Sequence, residues 1–284
     1  LRGPVERHDS HDSAACRIMT ALTAYVDGVG FLGPGFPDWP AASRVLSGAA
    51  SWEQAATVLP APQCLPSAER RRAAAVVRLT LAVGLEAAAR AGADPALLPA
   101  VFTSSGGDGQ NCHEICQVLA STDRQLSPTR FHNSVHNAAA GYWGIATGAT
   151  AASSALCAYD ASFAAGLLEA LAQVAVERTG VLLIAYDAAY PEPMRSVRPI
   201  PDSLGVALVL SPSAGPASFA RLEASWSAAN AEPMADATLE ALRLSIPAAR
   251  SLPLLALLAR QQSGRVLIDW LDSTPLAVEV SPCR

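Results

Sequence analysis

Two hydrophobic periods alternate along the chain, one of strands and one of helices. Residues 20–33, Thr-Ala-Leu-Thr-Ala-Tyr-Val-Asp-Gly-Val-Gly-Phe-Leu-Gly, predict a first strand running into a Gly-rich turn. From Ser67 to Gly92, the positions Ala74, Val77, Leu81, Val83, Leu85 and Ala88 predict one long helix. Ser67 is placed to cap its start, and Asp94-Pro95 closes it. A buried strand is expected from Leu97 to Thr103, then the turn Ser104-Ser-Gly-Gly-Asp-Gly109 and a helix beginning near Asn111. Residues 153–166 read as a strand that turns sharply into a helix of small residues, which continues to residue 177. Gly180 to Asp187 is an unbroken apolar run, the pattern of a strand covered on both faces. Leu204–Leu210 and Ser218–Trp226 predict two more strands. A helix from Asp236 to about Ser245, an apolar helix from Leu252 to Arg260, and short strands at Arg265–Leu271 and Leu276–Val280 complete the pattern. Strands and helices alternating in this order define a layered α/β protein.

Composition narrows what such a protein does. The chain has 284 residues and is 51% hydrophobic, enough for a sizeable core. Its formal net charge is −5, and no segment interleaves clustered Arg with aromatics, so nucleic acid is excluded as a partner. The sequence contains no Lys, which removes Schiff-base and P-loop lysine mechanisms. Cys16, Cys64, Cys112, Cys116, Cys157 and Cys283 are scattered through the chain, which fits a reduced, cytoplasmic protein better than a disulfide framework. No apolar run reaches the length of a membrane span, and the polar first residues lack the apolar core of a signal peptide. Residues 1–16 are expected to form a mobile arm.

Several motifs invite chemistry and then withhold it. Gly28-Val-Gly-Phe-Leu-Gly33 matches a dinucleotide fingerprint, but Pro34, Gly35, Pro37 and Pro40 follow where a helix has to open. The Ser104–Gly109 turn has backbone N–H groups for an anion, and equally the residues of a tight turn with a cap. Cys112, His113, Glu114 and Cys116 lie within about one helical turn, and His132 and His136 have an H-x-x-x-H spacing without the zincin Glu, since Asn133 stands there. No metal and no cofactor are expected; core cysteines and hydrogen-bonded histidines account for these residues. A Ser-His-Asp hydrolase fails because the chain has no G-x-S-x-G and no histidine beyond His136.

The segment Arg130-Phe-His-Asn-Ser-Val-His-Asn-Ala-Ala-Ala-Gly-Tyr-Trp-Gly-Ile-Ala-Thr-Gly148, followed by the sharp turn and Gly166-Leu-Leu-Glu-Ala-Leu, resembles the N-terminal half of the β-ketoacyl synthases. More closely, it is similar to the short ketosynthase-like proteins of aryl polyene and xanthomonadin-type pigment clusters. The resemblance implies a thiolase-like α/β/α half, a mixed sheet covered by helices, with a reduced C-terminal half. Its boundaries are 17–229 for the ketosynthase-like part and 230–284 for a segment that completes or caps the same domain.

In that family the sharp turn carries a nucleophilic cysteine. Laid without gaps from Gly148, the sequence puts Asp160 there and Cys157 three residues earlier; a three-residue shift would put Cys157 at the turn instead. Asp160 is expected to cap the following helix. The two histidines of the family's C-terminal half have no counterpart after His136, and the 74 residues from Ser211 onward are too few for a second thiolase-like half. The resemblance therefore implies a non-catalytic, chain-length-factor-like subunit of type II fatty acid or polyketide synthesis. It would pair with an active ketosynthase and meet acyl carrier protein through that partner. Phe131, His132, Asn133, His136, Tyr142, Trp143, Asp160 and Phe163 would line the interface or the acyl tunnel. Two other readings remain open: an acyltransferase or thioesterase using Cys157 with His132 or His136 as base, and a homodimeric scaffold.

Overall fold

The computed structural model describes residues 21–271 and 274–283; the arm expected at 1–16 lies outside them. In chain order the elements are β1 Leu22–Leu32, α1 Trp39–Leu46, α2 Ser67–Arg72, α3 Ala75–Ala91, β2 Ala100–Thr103, α4 Gly109–Ala120, α5 Pro128–His132, α6 Ala138–Thr147 and β3 Ser153–Leu156. A 3-10 turn, Tyr159–Ala161, leads into α7 Ser162–Glu177, followed by β4 Val181–Asp187, α8 Met194–Val197, β5 Leu204–Ser211, β6 Ala220–Trp226 and α9 Ala237–Ser245. A second 3-10 turn, Pro247–Ser251, precedes α10 Leu252–Arg260, β7 Gly264–Leu271 and β8 Thr274–Pro282.

The strands form one mixed sheet in the order β3-β2-β4-β5-β1-β6-β8-β7. β2 runs parallel to β3 and β4, and β5 is antiparallel to β4 and β1. Beyond β1, the pairs β1–β6, β6–β8 and β8–β7 are all antiparallel. Helices cover both faces. Leu182, Ile184 and Tyr186 of β4 face a core shared with α3 and α6, while Val181, Leu183 and Ala185 face a core shared with α1, α7, α9 and α10. This double cover explains why the β4 sequence is apolar at every position up to its terminal Asp187, with no polar alternation. α7 packs against β3 at one edge of the sheet and β7 at the other, so the sheet curls around that helix.

The structure redraws three sequence expectations. The helix from Ser67 to Gly92 is two helices, broken at Ala73, where ψ is 109°. α3 is fixed by the face it buries on the sheet, whereas α2 buries no residue and departs from that axis. Pro66, not Ser67, occupies the cap position of α2, without a side-chain bond. The strand expected from Leu97 begins only at Ala100, since Leu97 is 75% exposed. The Gly28-x-Gly-x-x-Gly33 segment is not a turn until its end. Gly28 and Gly30 lie inside β1, and a Cβ at Gly30 would sit 1.9 Å from the Val83 carbonyl oxygen. These glycines let the α3 backbone lie directly on the strand, a packing use of the motif rather than a cofactor use.

Gly30→Ala is therefore expected to lower unfolding stability by about 1–3 kcal/mol or more, since backbone cannot move aside as a side chain can. Gly141→Ala, in α6 where an added Cβ meets nothing within 4 Å, is expected to raise stability by about 0.5–1 kcal/mol. Urea denaturation of both variants checks the contrast.

Candidate functional site at the elbow

β3 ends at Leu156, and after Cys157 and Ala158 the chain turns through Tyr159–Ala161 into α7. Tyr159 sits at the corner with φ of 53°, a left-handed conformation that costs an L-residue about 1–2 kcal/mol. Local bonds hold the corner. Ser162 Oγ donates to the Tyr159 carbonyl at 2.7 Å and accepts from Ala158 N at 3.1 Å, and Ala161 N donates to Ala158 O. Arg198, from the β4–β5 connection, adds the long-range support. Its guanidinium carbon lies 3.5 Å from the Tyr159 ring centroid, and Nη2 donates to Asp160 Oδ1 at 2.8 Å. Stacking with a largely covered guanidinium contributes about 1–2 kcal/mol, comparable to the backbone cost at Tyr159. The half-exposed ion pair adds less, about 0–1 kcal/mol.

Asp160 thus does not cap α7 as its sequence position implies. It lies within the 3-10 turn, the cap position is Ala161, no side chain bonds there, and the carboxylate is turned outward to Arg198. The nearest part of the chain with a thiol is Cys157, and its Sγ donates to the Ser105 carbonyl at 3.2 Å. The structure does not pair Cys157 with either proposed base: His132 stacks edge-on against Tyr142 at 6.5 Å, and His136 Nε2 is buried without a partner among the described residues.

The remaining candidate residues separate into core and surface. Asn133, Tyr142, Trp143 and Phe163 are buried within this chain. Tyr142 Oη donates to Asn133 Oδ1 at 3.2 Å, Asn133 Nδ2 donates to the Arg72 carbonyl, Trp143 packs on Phe102, and Phe163 joins the core around α7. Phe131 is 68% exposed, and His132 is exposed beside it. Cys112 and Cys116 are exposed on α4, and no group of three or more His, Cys, Asp or Glu able to hold a metal comes together among the described residues.

Sequence reasoning missed the residues that fill the crevice at the C-terminal ends of β2 and β4. Asp187 is fully buried and accepts from Ser105 N at 2.9 Å, Ser105 Oγ at 2.6 Å and Ala248 N at 2.8 Å. Burial pushes its carboxyl up to about 6, opposed by these bonds and by the charge of Arg198. Tyr190 lies over the Ser104–Gly109 turn so closely that a Cβ at Gly106 would be 2.0 Å from its hydroxyl. Within that turn Ser104 Oγ accepts from Gly107 N at 3.0 Å, and Asp108 caps α4 through Asn111 N at 3.0 Å, so the turn is a cap rather than an anion cradle. One signal for Asp187 was present: a carboxylate closing a strand covered on both faces has to be buried. Arg198 and Tyr190 lie in an irregular segment with no periodic signal.

The chain belongs to the β-ketoacyl synthase family: the family model described as the β-ketoacyl synthase N-terminal domain matches residues 39–266. Among solved structures, a chain of the ketosynthase (ApeO) in complex with its chain length factor (ApeC) from Xenorhabdus doucetiae is 25% identical with a TM-score of 0.68. The match covers 91% of this chain and 99% of that one. The ishigamide ketosynthase/chain length factor matches at 13% identity and a TM-score of 0.65, covering 92% and 100%. A chain of AntDE:AntF, a type II PKS acyl-carrier protein in complex with its ketosynthase, matches at 10% identity and a TM-score of 0.70, covering 93% and 100%. The last two show the thiolase-like ketosynthase fold, and all three matched chains are about as long as this one. No curated protein matches the sequence.

The Asp187 site has a definite pH signature. Its carboxyl rises from 3.8 unfolded to about 6 folded, so its stabilising contribution is fully present below 3.8 and is lost as pH rises through about 6. Relative to Asp187→Asn, the wild type is expected to lose up to about 3 kcal/mol between roughly pH 4 and 6.5. Parallel stability curves for the two proteins across this range would contradict the assignment.

Proposed function

We propose that this chain is the non-catalytic, chain-length-factor-like partner of an active ketosynthase in type II fatty acid or polyketide synthesis, of the aryl polyene kind. The observation that carries the reading is the elbow. Where a condensing enzyme needs a thiolate aimed into an open pocket, this chain has an aspartate paired with Arg198, and its nearby thiol is bonded to the Ser105 carbonyl. The near end-to-end match to a chain of a ketosynthase and chain length factor complex supports the pairing role. Such a role places the chain in the cytoplasm and brings acyl carrier protein to it through the partner. Among the described residues no helix is long and apolar enough to cross a membrane. Residues 17–229 carry the ketosynthase-like part, and residues 230–284 complete the same domain. Pairing of β8 with β6 and the Asp187–Ala248 bond support that division.

The pairing surface is the β3 side of the molecule. β3 is the terminal strand of the sheet, and its outer edge meets no other strand among the described residues. α6, which packs on β3, leaves Ile145 exposed, and in the segments before it Leu119 of α4, Phe131 of α5 and Val135 are exposed as well. An open strand edge flanked by uncovered apolar side chains is a docking surface for another chain. The Ala152 and Leu156 carbonyls accept from Ala100 and Ser104 across the β2 pair, so alternation turns Ala155 N–H and C=O to the free edge.

Tagged protein recovered from its own host is expected to come with one equivalent of a second chain that is acylated at cysteine and condenses malonyl units. Ala155→Pro removes an outward N–H and no β2 bond, so it is expected to weaken that complex at least about tenfold while leaving the lone chain folded. Native mass spectrometry and circular dichroism read both effects. A symmetric homodimer with no co-purifying synthase would establish the scaffold reading instead.

A further inference from the structure

We infer that Arg198 is a positioning residue for partner binding: it holds the Tyr159 ring as a preformed aromatic anchor beside the free edge of β3. The inference rests on the pairing role proposed above. Tyr159 follows β3 by three residues and remains 62% exposed in a backbone conformation that an L-residue rarely adopts. Nothing in the internal bonding of the corner requires a tyrosine there, since Ser162 bonds the Tyr159 backbone and not its ring.

What the ring meets is Arg198, whose side chain is only 17% exposed and whose guanidinium is fixed by Asp160 on the other side. One face of the ring is stacked on the cation, and the residue as a whole remains largely exposed. Tyr159 and Asp160 form the wall between two clefts, one of about 570 Å³ that includes Arg250, Asp269 and Trp270, and one of about 390 Å³ that includes Arg195, Val197 and Leu244. The corner therefore lies between the two clefts, with the ring exposed there.

Tyrosine is a residue type that concentrates binding energy at interfaces. Its usual cost is the ordering of its own rotamer on binding, and a stacked guanidinium removes that cost in advance. Lysine cannot substitute fully, because the flat guanidinium both stacks on the ring and bonds Asp160, whereas an ammonium is a single point charge. Asp160 then has a role in the site that requires no chemistry: it orients Arg198.

The test is a double-mutant cycle on affinity for the ketosynthase that co-purifies with the tagged wild-type chain. Tyr159→Ala and Arg198→Ala are each expected to weaken the complex on the order of tenfold, mainly through faster dissociation. The double variant is expected to bind no more weakly than Tyr159→Ala, within about twofold, because Arg198 acts through the ring. If Arg198→Ala does not fold, Arg198→Lys serves in the same cycle, with a loss of about threefold or more in the wild-type background and none in Tyr159→Ala. An unchanged affinity for Tyr159→Ala, or losses that multiply in the double variant, would overturn the anchor while leaving the pairing role intact. Failure of the wild-type chain to bind any ketosynthase would overturn both.

Discussion

The placement of every functional element follows from one packing constraint, the enclosure of α7. A helix rich in Ala and Leu has apolar surface on more than one side, and a flat sheet covers only one of them. The sheet solves this by curling, so that β3 and β7, at its opposite ends, both touch the helix. The N-terminal end of α7 is thereby surrounded by the end of β3, the turn after α9, and the β7 strand. The elbow, the clefts beside it and the free edge of β3 all take their positions from that enclosure. β6, β8 and β7 occupy, as additions to the same sheet, the place where a second sheet would otherwise be needed to cover the helix.

Charge at the elbow end is arranged by the same enclosure. Asp187 leaves the doubly covered β4 at a depth where water cannot reach, and donors from the Ser104–Gly109 turn and the 247–251 turn converge on it. A buried carboxylate is tolerable only with such partners. It also ties three segments distant in sequence to one point. Glu240, Arg243, Arg250 and Asp269 form a second network between α9, the 247–251 turn and β7, which fixes the C-terminal segment against the elbow cleft. Polar groups here lock the crevice instead of leaving it reactive.

The elements were legible in the sequence wherever one face or both faces are buried. β4, α7, α9 and α10 lie within a residue or two of their periodic patterns, because burial imposes that periodicity. Legibility failed where packing overrides local preference. α2 and α3 share helical propensity but not an axis, and Gly28 and Gly30 carry a cofactor-like spacing for the sake of a helix lying on a strand. The turn into α7 could be located from sequence, whereas the sequence left open whether Asp160 or Cys157 occupies it, and the corner itself is Tyr159. The partners of Asp160 could not, since Arg198 comes from a connection with no period. Nor does sequence separate a buried tryptophan from an exposed phenylalanine twelve residues away: Trp143 is core and Phe131 is surface.

β3 is only four residues long, and alternation leaves two of them, Ser153 and Ala155, with backbone groups on the free edge. Main-chain bonds to so short a strand carry little information, since any backbone offers the same donors and acceptors. In the proposed pairing, discrimination has to reside in the flanking side chains of α4 to α6 and the elbow. A cell that runs several related synthases side by side would depend on those few side chains for fidelity, so that each short subunit assembles with its own enzyme and not with that of a neighbouring pathway.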